Sequence, residues 1–197
     1  MTLHDYLITY NACPEALYWL GDRSPRQAWH ACKYPDWKLW LCGRLGVDPR
    51  LLVLCATGCA RSVLHLVPAG EDRPRLAIEA AEAWAYGRGT AEAAATAASA
   101  AKSAVWWASG EAIARRGTGT ASWWGAAEAA LAAVKAAEAT AGGTATKAAQ
   151  AAVGAADVAG IATRAAALRR YARGVRSVIP WWHVADRLRT VGVEVEA

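Results

Sequence analysis

The sequence predicts an all-α fold: a compact helical bundle of about eight to ten helices with an Ala-rich C-terminal half. Three observations predict it. Alanine dominates from about Thr90 to Arg173, and Ala is the best helix former and loses no rotamer freedom on burial. Helix-starting Ser-Pro and Asp-Pro pairs and helix-ending glycines recur along the chain. No alternating strand pattern of useful length appears, apart from Val191–Val195 at the tail.

The elements follow in order. Ser24-Pro25 reads as an N-cap with Pro at the first helical position, leading into Arg26–Cys32. Pro35-Asp36 introduces Trp37–Leu41, which Gly43 or Gly46 can end. Asp48-Pro49 opens a long apolar helix from about Arg50 to Leu66. Pro68, Gly70 and Pro74 mark a connection. Leu76, Ile78, Ala81 and Ala85 then give an apolar face from about Pro74 to Tyr86, and Gly87 suits a left-handed cap.

The Ala-rich half divides into three longer helices. Thr90 caps the first, Gly117-Thr118-Gly119-Thr120 breaks it from the second, and Gly142-Gly143-Thr144 breaks the second from the third. The third is expected to run to about Val178, before Pro180. Within it Ile161, Ala165, Leu168, Ala172, Val175 and Ile179 form an apolar seam. A short helix around His183 to Thr190 closes the chain. The domain reading is one all-helical unit over 1–197, with shorter helices over 1–88 and Ala/Trp-rich helices over 89–197.

Thin Ala side chains let helices approach closely but bury little apolar area, so the tryptophans must supply much of the core. Eleven tryptophans are present, including the pairs Trp106-Trp107, Trp123-Trp124 and Trp181-Trp182. Adjacent helical residues point about 100° apart, so one member of a pair can fill the core while the other faces a groove. Trp123 and Trp124, beside a Gly-Thr turn, are candidates to meet a ligand.

With 197 residues, 55% hydrophobic and 20% charged, the chain can build a real core and does not read as disordered. No apolar run approaches the roughly 18 residues of a membrane span, so no membrane partner is expected. Met1–Tyr6 lacks the basic start and apolar core of a signal peptide. Five cysteines then read as reduced, mostly buried thiols, which points to a bacterial-type cytoplasm. The formal net charge of +5 is too modest to argue for general nucleic-acid binding.

Catalytic and metal motifs are absent from the sequence, so no catalytic residue, cofactor or metal is assigned. Cys55 and Cys59 share a helical face with His65 further along, short of the four convergent ligands that zinc needs. There is no G-x-S-x-G elbow, and Gly142–Lys147 fails the P-loop spacing.

Anion binding has more support. Arg169, Arg173 and Arg176, spaced by four and three, stack along one side of the last long helix. Trp181 and Trp182 follow directly after Pro180. Guanidinium groups beside indoles suit a ligand with phosphates and a flat base. Sustained Ala faces can also pair with a second copy, so a homo-oligomer is compatible with the pattern.

The N-terminal part carries more specific wording. Ala12-Cys13-Pro14-Glu15 runs into Tyr18-Trp19-Leu20, then Ala28-Trp29 with Cys32, then Asp36-Trp37 and Trp40-Leu41. Glu71–Glu79 leads to Glu82-Ala83-Trp84. Over about Leu3 to Gly87 this order resembles the Imm-5-like family of immunity proteins, found in bacteria and in phages of GC-rich hosts. The resemblance implies an all-helical, non-enzymatic binding protein. Among the matching polar positions, Asp36, Arg73 and Arg75 would form a rim that faces a ligand or partner, or else cap helices and pair locally.

Two functions are therefore expected to compete. The first is an immunity or counter-defence protein that sequesters or blocks a toxin or effector protein without changing it. The second is a sponge that captures a phosphate-bearing nucleotide signal.

Overall fold

The computed structural model describes residues 1–114, 131–132, 134–140, 143–158 and 161–195, with side chains described for these except at 104, 106–114, 158 and 161–162. The described residues are helical or irregular, and none lies in a strand. Helices α1 (Leu3–Thr9), α2 (Pro14–Leu20), α3 (Pro25–Ala31) and α4 (Pro35–Arg44) are short. Then come α5 (Pro49–Arg61), a 3-10 turn at Leu64–Leu66, α6 (Arg73–Ala85) and α7 (Ala91–Ala114). Helical residues at 131–132 and 134–138 are labelled α8, followed by α9 (Thr144–Val158), α10 (Ile161–Val178) and α11 (Trp181–Thr190).

Local chemistry sets the helix starts. Ser24 Oγ accepts from the Gln27 amide while the Gln27 side chain accepts from the Ser24 amide, a reciprocal capping box ahead of Pro25. Asp48 accepts from the Arg50 amide at 2.9 Å and precedes Pro49. Thr90 Oγ1 accepts from the Ala93 amide at 3.1 Å, so it caps α7 as its sequence position predicts. Gly87 ends the α6 region at φ +71, the left-handed geometry expected of it.

Alanine builds the interfaces as anticipated. Ala77, Ala81 and Ala85 of α6 are buried, as are Ala94, Ala98 and Ala101 of α7, and these two helices pack together. Ala148, Ala151, Ala152, Ala155 and Ala156 form the buried stripe by which α9 meets α4 and α5. At Gly43 α4 and α9 approach closely: an added Cβ would lie 2.1 Å from Ala145 Cβ. Helix α5 contributes Leu52 and Cys55 to the larger core and Val53 to a second, Ala-rich core with α6, α7 and α8.

Several boundaries differ from the sequence reading. The helix opened by Asp48-Pro49 stops at Arg61 rather than Leu66. There Ser62 Oγ donates back to the Cys59 carbonyl at 2.7 Å and meets Tyr171 Oη at 2.6 Å, which draws the chain away from regular helix. Gly43 does not end α4: it lies inside it and serves the α4–α9 contact, while Gly46 makes the turn at φ +66. The third Ala-rich helix is two helices, α9 and α10, on either side of residues 159–160. Val191–Val195 forms no strand: Val193 amide returns to the Leu188 carbonyl and Glu194 amide donates to the Met1 carbonyl at 3.0 Å, leaving no ladder to join. The last helix begins at Trp181, earlier than His183. The break at Gly117–Thr120 lies outside the described residues.

Along α10 the predicted seam is largely present, with Leu168, Ala172, Val175 and Ile179 buried. Ala165 is exposed instead, and Ala167 and Tyr171 take its place. None of the described helices is long and apolar enough to cross a membrane.

Candidate functional site

A cleft of about 350 Å³ lies where α1, α2, α3, α4 and α11 converge over Ala149 of α9. Its walls are mostly apolar, and Trp19, Trp29, Trp37, Trp40 and Trp181 all line it. The indoles are held by their neighbours. Trp19 meets Trp37 edge-on at 6.1 Å between centroids. Tyr34 lies 4.3 Å from Trp37, and Arg23 sits over Trp19 at 4.8 Å. Short helices with Pro starts place these rings: three successive turns bring α2, α3 and α4 around one space.

At one wall Trp29 is 3% exposed and Lys38 2% exposed. The Lys38 ammonium donates to the Trp29 carbonyl oxygen and lies 4.1 Å from the centroid of the Trp29 ring. Burial pushes the Lys38 pKa down to about 8, with Arg176 adding to the effect and the Cys32 and Cys42 thiols opposing it. The Trp29 Nε1–H is buried and has no acceptor. Cys32 also lines the cleft. Burial raises its pKa, so its sulfur remains a thiol at neutral pH and is a weak nucleophile.

Asp36, singled out from sequence, lines the same cleft. Burial raises its carboxyl pKa, while the backbone amides of Asp36 and Trp37 and the Arg164 charge pull against that rise. Trp181 also lines the cleft and packs 6.5 Å from His30. Arg176 reaches the same place and donates to the His30 carbonyl at 3.1 Å. Burial, then the charges of Arg176, Lys38 and Arg26, depress the His30 pKa. Lys38 is thus the cation in the lining at this wall, and Arg176, outside the lining, adds to the positive charge around His30.

The remaining sequence candidates lie elsewhere. Arg169 and Arg173 are exposed on α10, and only Arg176 of that row turns back to α3, where it bonds the His30 carbonyl without lining the cleft. Trp182 is 68% exposed beside inward Trp181, the division that a 100° step predicts. Arg73 pairs with Glu71, and Arg75 bridges Asp72 at 3.1 Å and Glu79 at 2.8 Å. Both arginines therefore serve local pairs on α6. Trp123 and Trp124 lie outside the described residues.

Sequence reasoning missed Lys38 and four of the lining tryptophans, Trp19, Trp29, Trp37 and Trp40, which it read as core lettering. One signal was available: Lys38 stands four residues before Cys42, on the buried face of α4. A second concavity, of about 780 Å³, lies between Thr2, Arg23 and Glu194 and carries no tryptophan or tyrosine. Among the described residues no three His, Cys, Asp or Glu side chains cluster to hold a metal.

Comparison with known protein families, with curated proteins and with solved structures finds no match.

Proposed function

We propose that this chain is a binding protein that captures a small flat ligand in the tryptophan cleft and holds it unaltered, a sequestering role of the immunity or counter-defence kind. The observation that carries the reading is the cleft itself, lined by five indoles, with one buried donor, Trp29 Nε1–H, left without an acceptor. Small-molecule sites have this form: concave, apolar, with a few fixed polar groups. A volume of about 350 Å³ sits at the lower end of the range of roughly 300–1,000 Å³ for such sites. That favours a mononucleotide or smaller aromatic molecule over a cyclic dinucleotide. It also relocates the expected binding site from the Arg169-Arg173-Arg176 row to the space between α2, α3, α4 and α11.

The test is tryptophan fluorescence titration of the purified protein against nucleosides, mononucleotides and planar aromatic acids, with each ligand recovered afterwards and weighed by mass spectrometry. Saturable quenching with unchanged ligand mass supports capture. Turnover of any ligand, or flat emission throughout, defeats it.

A second reading, blockade of a protein partner such as a toxin or effector, draws on the rim. Tyr18 is 92% exposed next to lining Trp19, and Trp182 is 68% exposed next to lining Trp181. Exposed aromatics of this kind anchor protein interfaces. Paired Tyr18→Ser and Trp182→Ser changes that abolish protection in cells, while leaving small-ligand titrations intact, would favour the rim over the cleft.

A further inference from the structure

We infer that the Trp29–Lys38 wall is an anion-anchoring subsite, taking the carboxylate or phosphate of a ligand whose one- or two-ring planar body lies among the indoles. The inference deepens the capture reading and rests on it.

The donors at this wall outnumber their acceptors. An ammonium carries three N–H donors, and the acceptor found for Lys38 is the Trp29 carbonyl oxygen. Trp29 Nε1–H adds another buried donor with none. Among the described residues no carboxylate lies within 4.0 Å of Lys38 Nζ to form an ion pair. A buried cation without a counter-charge is costly, and an anionic oxygen that accepts from both donors would relieve the cost on binding.

The surroundings agree in sign. Arg176 is close enough to Lys38 and to Cys32 to bias both, and Lys38, Arg176 and Arg26 all act on His30. Among the described residues Asp36 is the one carboxyl group in the lining. Burial raises its pKa, while the backbone amides of Asp36 and Trp37 and the charge of Arg164, itself paired with Asp157, favour its ionised form. It does not figure among the charges acting on Lys38. The rest of the lining is mostly apolar and includes the rings of Trp19, Trp37 and Trp181, with Arg23 seated over Trp19. One end of the site therefore suits an oxyanion and the rest a planar hydrophobic body.

The experiment titrates the full chain with 1-naphthoate, 1-naphthyl phosphate and their uncharged analogue 1-naphthamide, with sodium acetate and inorganic phosphate as ring-free arms. Either naphthyl anion is expected to bind at least about tenfold more tightly than the amide, the scale of a charged hydrogen bond. Whichever anion is preferred identifies carboxylate or phosphate as the head group. Lys38→Met should collapse the anion-to-amide ratio towards one while amide binding persists. Trp29→Phe, which keeps a ring but loses the N–H, should lower the ratio several-fold, and it serves if Lys38→Met fails to fold. Equal binding of anion and amide by the unaltered protein overturns the subsite and leaves the cleft standing. Failure of all three naphthyl probes overturns the cleft reading itself. Acetate or phosphate binding as tightly as the naphthyl anions overturns the ring-plus-anion class.

Discussion

The Lys38 ammonium lies 4.1 Å from the centroid of the Trp29 indole, and the same nitrogen donates to the carbonyl oxygen of that residue. One residue of α3 thus offers a cation two surfaces, a ring face and a peptide oxygen. A cation over an indole is worth more when desolvated, and Lys38 is almost wholly buried. The arrangement tethers α4 to the end of α3 and so fixes the spacing of two walls of the cleft. Yet a ring and one carbonyl are weak company for a full charge, and stability should show it.

The first prediction concerns pH. Lys38 titrates at about 8 in the folded chain against an ordinary 10.5. Between those values the unfolded chain holds a proton that the folded chain has released, so stability rises with pH across that window. Below pH about 8 both states are protonated and the full penalty for the buried charge is present, about 3 kcal/mol from the size of the shift. Lys38→Met should remove this rise, since a buried charge replaced by an apolar group of similar volume is often neutral or stabilising. Urea unfolding of both proteins at neutral pH and at pH above 10.5 measures the difference. Parallel pH dependence in the two would refute the assignment.

The second concerns Glu138. Burial alone would raise this carboxyl, but Lys102 at 2.7 Å, Lys147 at 2.9 Å and Lys135 at 3.3 Å outweigh it and hold the pKa down to about 2. The stabilisation is present above the ordinary 4.5 and is lost as pH falls from there to about 2. The three lysines are partly solvated, so screening reduces the gain to about 1–2 kcal/mol. Glu138→Gln should cost that much at neutral pH and nothing at the acid end. Thermal unfolding across the acid range tests this, and a cost that persists below pH about 2 would contradict it.

Two glycines should respond with opposite signs to the same change. At Gly43 a new Cβ would stand 2.1 Å from Ala145 Cβ, so Gly43→Ala forces α4 and α9 apart and should destabilise by about 1–3 kcal/mol. Gly58 is exposed in the interior of α5, with nothing within 4 Å of its would-be Cβ. Gly58→Ala should therefore stabilise by about 0.5–1 kcal/mol through helix propensity. Denaturant midpoints of the two variants decide the matter. A stabilising shift in Gly43→Ala would show that the α4–α9 contact is looser than this spacing implies, and a destabilising shift in Gly58→Ala would refute the propensity gain.

These cases show what was legible in the letters. Helix starts at Ser24, Asp48 and Thr90 were readable because a cap is a local event between a side chain and amides two or three residues on. The all-α class followed from Ala content for the same reason. The role of Gly43 was not readable, because a helix-ending glycine and a helix-crossing glycine look alike until the partner helix, more than a hundred residues away, is known. The cleft was hidden likewise. Asp36 and Trp181 were named as candidates, but the tryptophans around them are spread from Trp19 to Trp181. Only the convergence of five helices shows that they share one space. The arginine spacing put Arg169, Arg173 and Arg176 along one side of a helix, but spacing does not give side-chain reach, and Arg176 turns back to α3 while Arg169 and Arg173 are exposed.

The last prediction uses the cysteines as reporters of both burial and occupancy. Cys32, Cys42, Cys55 and Cys59 are buried. Burial raises the thiol pKa of Cys32 and, more strongly, those of Cys42, Cys55 and Cys59, so thiolate is scarce at neutral pH. Cys13 differs, since it is exposed and lines the mouth of the cleft between α1 and α2. A thiol reagent added to the native protein should modify Cys13 rapidly and the other four only after unfolding. Titration with a chromogenic disulfide, read by mass spectrometry of peptides, counts and locates the modified sites. A ligand seated among the indoles should slow the Cys13 reaction, while leaving untouched the rate in a Cys13-containing unfolded sample. Rapid native modification of Cys42, Cys55 or Cys59 would show that the core around α4 and α5 opens far more readily than its packing implies.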